Sequence, residues 1–465
     1  MGGIETNEHA RAKAGGRGPA DLLRRLLGTG YDRSVKLAAS SAFFIRIANA
    51  GITYLSQIIM ARWMGAFEFG IYVYVWTWVL IVGLVADLGF ANTAQRVIPG
   101  YLQRGQLDYV RGFIHASRWI PGIFVTILAI LAAGLIWLLQ DRLDSYLVLP
   151  MLIACIALPP YGLTDAQDGT ARAFGWINLA LVPPYIVRPS LLLLVMMVFL
   201  VLRVPLNAGS AMEAAVISTW LTSMGQIIVF DRRFRKRIEP GPRSYARREW
   251  IVSSLPVLFS TLFQFMLSYV GVLVLQVHNP PDDIAVFYAA TKLTAIVSMV
   301  YFSVAASAAY RFAALHAEGN VQGLQAFYRN SVSWTFWPTL LVGVGIVAFA
   351  KPFLWLFGSE FTSGYWLVVV LTLGLVIRAS IGPGEQILNM LGHQRMSAMV
   401  YAISFLFNLV LCLLIIDDLG PMGAAIAATA SIVLETMLLH LAIRDRVGIV
   451  AFISFRRKLS GSAGE

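Results

Sequence analysis

Residues 90–119 read FANTAQRVIPGYLQRGQLDYVRGFIHASRW, and residues 302–334 read FSVAASAAYRFAALHAEGNVQGLQAFYRNSVSW. Sliding the chain so that Arg96 falls on Arg311 also sets Tyr101 on His316, Gln103 on Glu318 and Trp119 on Trp334, without gaps over the central part. A second pair of segments matches ahead of these, GAFEFGIYVYV at 65–75 and PDDIAVFYAATK at 281–292. Both halves thus run through one succession: an apolar span, a short acidic turn, the aromatic start of the next span, then an amphipathic basic segment.

Composition says what this duplicated unit is made of. Hydrophobic residues form 58% of the 465 and charged ones only 13%, about half the charged share of a soluble domain. Runs of roughly 20 apolar residues, enough for a helix to cross about 30 Å of hydrocarbon, fall near 37–61, 70–92, 118–139, 146–164, 175–202, 210–230, 250–275, 284–310, 331–350, 365–383, 396–416 and 421–443. The expectation is an all-α polytopic membrane protein with about 12 transmembrane helices.

Positive loops stay in the cytoplasm. With the N-terminus inside, 28 of the 36 lysines and arginines lie in inside segments, whereas the outside turns hold only Arg62, Arg142, Arg203 and Lys351. Outside turns carry Glu68, Asp141, Asp144, Asp282, Asp283, Glu360, Asp417 and Asp418 instead. Both termini are therefore expected in the cytoplasm, with an inner-membrane type of placement. The net charge of +11 describes a basic cytoplasmic face, not a nucleic-acid-binding surface. Six spans per half is an even number, so the halves run parallel and are related by a pseudo-two-fold axis, enclosing a central cavity with its site near the midplane. The expected division is a basic cytoplasmic tail 1–35, an N-lobe 36–230, a basic cytoplasmic linker 231–249 (DRRFRKRIEPGPRSYARRE), a C-lobe 250–445 and a tail 446–465. The linker's charge would draw it to anionic headgroups.

Four basic residues, Arg46, Arg188, Lys292 and Arg378, interrupt the apolar spans. A cation at mid-membrane costs about 2.5–3.5 kcal/mol on insertion scales, so each marks a functional site unless a carboxylate answers it. Counting about 1.5 Å per residue, Glu213 lies at a depth to meet Arg188, and Glu435 at that of Arg378. Asp87 sits near the cytoplasmic end of the second span, within range of Arg46 or free to hold it toward an anion. Lys292 has no acidic residue in its own helix. Asp165 and Asp168 share a helix face at the cytoplasmic end of the fourth span and read as solvated charges. His115, His278, His316, His393 and His440 show no metal-ligand spacing, Cys155 and Cys412 read as apolar packing residues, and no GxxxxGK[ST] loop is present. No catalytic residue, metal or cofactor is expected. Prolines 159, 160, 183, 184, 189, 256, 338 and 383 stand in or beside spans, where each favours a bend.

The segments ARWMG (61–65) with EFGIY (68–72), DLGF (87–90) with Gln95-Arg96, Arg188-Pro189, FYAATKL (287–293) and MGAAIA (422–427) carry a family likeness. Over roughly residues 36–445 the chain resembles the multidrug/oligosaccharidyl-lipid/polysaccharide exporter superfamily, and within it the polysaccharide (O-antigen type) flippases. The resemblance implies a carrier that moves undecaprenyl-pyrophosphate-linked oligosaccharide to the periplasmic leaflet by alternating access, for cell-surface polysaccharide such as lipopolysaccharide or exopolysaccharide. On this sequence the positions that would meet the pyrophosphate are Arg46 and Lys292, with Asp87, Arg188, Glu213, Arg378 and Glu435 in supporting or ion-coupling roles. Implied partners are the lipid-linked oligosaccharide, membrane lipids, a polysaccharide polymerase and other pathway proteins, and a coupling H+ or Na+. Two alternatives stand beside it. A multidrug exporter of the same superfamily would favour acidic cavity residues, and a membrane polymerase or ligase would need larger outside loops than these.

Overall fold

The computed structural model describes residues 30–449 and 452, without the side chains of 30–44, 46, 47, 253, 256, 257 and 260. The expected tail 1–35 thus falls almost wholly outside the described residues, as does most of the tail 446–465. Every regular element among the described residues is helical, and ten helical stretches are long and apolar enough to cross a membrane. The protein is multi-pass.

Glycine decides where the chain turns. Helix α1 (Gly30–Ala86) is broken at Gly65, whose φ of 79° is a conformation that a side chain disfavours. Ile45 and Phe90 nevertheless share one packed cluster, although a straight helix would hold them about 65 Å apart. The helix therefore doubles back at Gly65, and its arms carry the expected spans 37–61 and 70–92. Leu88 and Gly89 (φ 51° and 75°) turn it into α2 (Phe90–Gln103), and Gly105 (φ 69°) turns α2 into α3 (Leu107–Leu138). There follow α4 (Ser145–Ala173), α5 (Ile177–Val182), α6 (Arg188–Val201) and α7 (Ala208–Arg237).

The second half repeats the plan with α8 (Arg247–His278), α9 (Pro281–Ala317), α10 (Val321–Ala348), α11 (Ala350–Trp355), α12 (Tyr365–Ala379), α13 (Gly384–Met390) and α14 (Gln394–Val447). Helix α14 breaks at Gly420, φ 53°. Val400 and Leu439 then meet in one cluster, so it too is a hairpin. Several helices run past the apolar stretches: α4 continues through Asp165 and Asp168, and α7 through Arg237. Hydropathy ends a span where polar side chains begin, but backbone hydrogen bonding does not stop there. Cys155 and Cys412 are both buried.

Packing is asymmetric along the membrane normal. At the Gly65 end one continuous cluster crosses between the halves, joining Phe69, Tyr72 and Met60 to Tyr288, Phe357 and Phe361. Tyr54 meets Phe357 edge-on at 5.5 Å, and Phe69 meets Tyr288 and Phe361 at 6.1 and 6.3 Å. The Arg62 guanidinium donates to the carbonyls of Leu356 (2.8 Å) and Trp355, capping this contact. At the opposite end the core splits into two clusters, one around Phe90, Phe113 and Phe230, the other around Phe312, Tyr328 and Ile443. The two lobes thus share one core at the Gly65 end, while at the other they have separate clusters, the first of which also takes in Trp250 of α8.

The shared core depends on close backbone approach. A Cβ on Gly70 would run into the Pro281 carbonyl. Gly70→Ala is expected to lower stability by about 1–3 kcal/mol through overpacking, read as a lower thermal midpoint in detergent. Gly51→Ala, where nothing lies within 4 Å, is the control and should leave the midpoint within error.

Candidate functional site

Lys292 stands on α9, half-buried, with its ammonium 4.6 Å from the Tyr288 ring centre and 5.9 Å from that of Tyr269. Tyr288 precedes it by one turn on α9, while Tyr269 comes from α8. Aromatic faces stabilise a cation electrostatically without neutralising it, by about 0.5–2 kcal/mol. No carboxylate pairs with Lys292 among the described residues. It lines a cavity of about 340 Å³ with Ser268, Thr291, Thr294 and Ser298, whose hydroxyls sit among apolar walls from Val272, Leu371 and Ile432.

Arg188 is the counterpart in the first half. Its guanidinium lies 4.9 Å from the Tyr161 ring centre and 6.0 Å from that of Trp76. The local backbone explains the placement: Pro183–Val187 forms a π-helical turn immediately before Arg188, a distortion often found at functional sites. The expected meeting with Glu213 does not occur. Glu213 is exposed on α7, and Arg188 is instead within electrostatic reach of Asp165, one turn beyond Tyr161 on α4. Arg188 lies thirteen residues from the Val201 end of α6, about 20 Å, whereas Glu213 lies only five residues into α7, about 8 Å, so the two differ in depth.

The two cations are joined by rings. From Lys292 the series runs Tyr288 to Phe69 (6.1 Å), Phe69 to Tyr72 (6.4 Å), Tyr72 to Trp76 (6.2 Å) and Trp76 to Tyr161 (6.1 Å), ending at Arg188. This aromatic ladder crosses from one half to the other through α1. The ladder itself is core packing, with Phe69 0%, Tyr72 3% and Tyr288 8% exposed. The space open to a ligand is the cavity beside Lys292, whose hydroxyls, apolar walls and charge suit a sugar carrying an anionic group.

The remaining candidates divide. The Arg46 side chain lies outside the described residues. Asp87 is only 5% exposed, and its carboxylate accepts the Ala91 N–H at 3.1 and 3.2 Å, so it caps the start of α2. Asp168, read from the sequence as a solvated charge, is bound by Arg172 one turn on, at 2.5 and 2.8 Å. Arg378 does meet its expected partner: Nη2 lies 3.0 Å from Oε1 of Glu435, which is 1% exposed. Glu385 adds a second carboxylate at 3.9 Å, and Tyr301 lies under the guanidinium at 4.8 Å. Arg378 borders a small pocket that shares Ser298 and Leu375 with the Lys292 cavity.

Sequence reading takes Asp165 for a solvated charge and misses Glu385 and the ladder. The available signals were the Tyr161–Asp165 spacing of one helical turn and the Phe69, Tyr72, Trp76 series, which puts three rings on one helix face.

Two helical lobes that share one core at one end, built from helices long and apolar enough to cross a membrane, define a multi-pass membrane protein of two-lobe architecture. The protein belongs to the polysaccharide biosynthesis protein family, whose model matches residues 38–312. The MatE family model also matches, over 256–414. The chain is 24% identical over 410 residues to a probable low-salt glycan biosynthesis flippase of Haloferax volcanii, covering 86% of this chain and 82% of that one. Its fold is similar to that of an inward-facing multidrug resistance MATE family transporter of the MOP superfamily (TM-score 0.71, 17% identity, 86% of this chain and 94% of the other). It is also similar to the lipid II flippase MurJ in an inward closed conformation (TM-score 0.65, 14% identity, 87% of each chain).

Proposed function

We propose that this protein is a flippase that carries an undecaprenyl-pyrophosphate-linked oligosaccharide from the cytoplasmic to the periplasmic leaflet by alternating access, for cell-surface polysaccharide synthesis. It is a carrier and not an enzyme in this reading. The observation that carries the proposal is the Lys292 cavity: a cation with no paired carboxylate among the described residues, held against Tyr288 and Tyr269 and opening onto hydroxyls and apolar walls. Lys292 and Arg46 meet the pyrophosphate, and Arg188 assists from the first half. Arg378 with Glu435 acts as a structural brace. Asp87 and Glu213 keep the supporting or ion-coupling role, which Asp165 joins. The lobes are 36–230 and 250–445, linked by 231–249, with both termini in the cytoplasm of an inner-membrane protein. Substrate then enters from the end where the cores are separate, and Gly65 lies on the periplasmic side.

Energetics support movement in that direction. Two negative charges moved outward across 100 mV gain about 4.6 kcal/mol, so the membrane potential favours the step.

The test is reconstitution in proteoliposomes with a fluorescent undecaprenyl-pyrophosphate oligosaccharide. Protein-dependent loss of label to a membrane-impermeant quencher supports the proposal; a rate equal to that of empty vesicles refutes it. The likeness to multidrug transporters sustains one competing reading. Export of a cationic dye from cells without any effect on lipid-linked oligosaccharide would favour that reading.

A further inference from the structure

At the end away from Gly65, the loop between the halves is fastened to the first half. Ser244 N–H donates to the Asp108 carbonyl at 3.1 Å, and Arg111 donates from Nε to the Glu239 carbonyl (3.0 Å) and from Nη1 to the Pro242 carbonyl (2.9 Å). Gly241 permits this, because a Cβ there would lie 2.8 Å from the Arg111 guanidinium. The result is a pocket of about 370 Å³ between α3, α7 and the loop, within the range of small-ligand sites, roughly 300–1,000 Å³.

Four arginines line it, Arg111, Arg118, Arg235 and Arg243, against two carboxylates, Asp231 and Glu239. Arg111 and Arg118 are already committed: the first holds the loop, and the second pairs with Asp231 at 2.7 Å above the Phe230 ring. Arg235 and Arg243 are exposed and form no hydrogen bond or ion pair among the described residues. Their charge is available to a ligand.

The pocket's floor says which ligand. Trp119 lines it and begins an exposed apolar ridge along α3: Trp119 58%, Ile123 54%, Ile127 50% and Leu131 63% exposed. These residues recur every four positions and so lie on one face. Tryptophan marks the headgroup level of a membrane. A molecule with an anionic head and an acyl chain fills both parts at once, whereas free phosphate fills only the first.

We propose that this pocket is a headgroup site for an anionic phospholipid of the cytoplasmic leaflet, separate from the central cavity. The phosphate lies between Arg235 and Arg243, and an acyl chain follows the Trp119–Leu131 ridge. Because the loop that forms one wall is the connection between the halves, a bound lipid clamps that connection to the first half.

The experiment titrates purified full-length protein in detergent with dioleoylphosphatidylglycerol, dioleoylphosphatidylcholine or inorganic phosphate and follows the thermal midpoint. Phosphatidylglycerol should raise the midpoint at the lowest concentration. Arg235→Ala/Arg243→Ala should weaken its apparent affinity about ten-fold or more, and Arg235→Lys/Arg243→Lys should largely restore it. Arg232→Ala/Arg233→Ala removes the same charge from the same basic stretch outside the pocket and should change affinity less than about two-fold. Equal weakening by both alanine pairs, equal response to phosphatidylcholine, or a full response to inorganic phosphate would each overturn the assignment. None of these readouts depends on transport.

Discussion

Lys292→Gln should reduce flipping of the pyrophosphate-linked substrate in proteoliposomes by about 30-fold, the equivalent of about 2 kcal/mol for one lost charge-assisted hydrogen bond. Glutamine keeps most of the side-chain volume and can still lie against Tyr269 and Tyr288, so packing is largely preserved while the charge is removed. Lys292→Arg keeps the charge and should retain most of the rate. Combining Lys292→Ala with Arg46→Ala should bring flipping to the level of empty vesicles. Unchanged flipping by that double variant, with its thermal midpoint intact, would eliminate the anion site. The reasoning turns on Lys292 having aromatic neighbours and no paired carboxylate among the described residues. A cation held this way keeps its charge available for an incoming anion.

Glu435→Ala should have the largest effect on stability, about 3–5 kcal/mol, because it leaves the Arg378 guanidinium without its closest carboxylate in an enclosed site. Glu385, at 3.9 Å, offsets part of that loss. Replacing both partners, as in Arg378→Met/Glu435→Leu, should recover most of the stability, since no unpaired buried charge then remains. A thermal-unfolding double-mutant cycle in detergent measures this. If the double variant is as unstable as Glu435→Ala, the pair is not a simple brace, and the pocket beside it needs the guanidinium itself.

The architecture was legible in the sequence to an unusual depth, because a repeat constrains both halves together. Gly105 and Gly319, which turn the two matched segments one position apart in the alignment, have φ of 69° and 65°, so both halves make the same kind of turn at nearly the same place. The two hairpins were legible as pairs of spans, although the helix runs on with a single glycine break in each. Side-chain pairing was legible only in part. Depth along a helix follows from counting residues, and this sufficed for Arg378 and Glu435. For Arg188 and Glu213 the expected match of depth fails, because the helix ends leave Glu213 about 12 Å nearer the α6–α7 turn than Arg188. Asp165 reads from the sequence as a solvated charge because the hydropathy edge suggests a helix end there, whereas α4 continues and brings that carboxylate within electrostatic reach of Arg188. Ring-to-ring contacts across the halves, such as Phe69 with Tyr288, join residues more than 200 positions apart, and no local pattern encodes them.

Trp250 gives α8 an uncommon mechanical status. Its side chain is fully buried in the first half's cluster and donates to the Tyr101 hydroxyl at 3.1 Å. Near the other end of α8, Gln276 reaches Tyr146 of the first half at 3.4 Å. Between these grips, the helix packs with α14, where Asn408 donates to the Leu267 carbonyl at 3.2 Å. A beam clamped at both ends to one body and loaded in the middle by another cannot follow that load by swinging; it has to flex. Pro256, which lacks the amide hydrogen that stiffens a helix, falls between the first clamp and the load. Under the alternating-access reading, rocking of the second half against the first would have to bend α8 or release its Trp250–Tyr101 and Gln276–Tyr146 contacts.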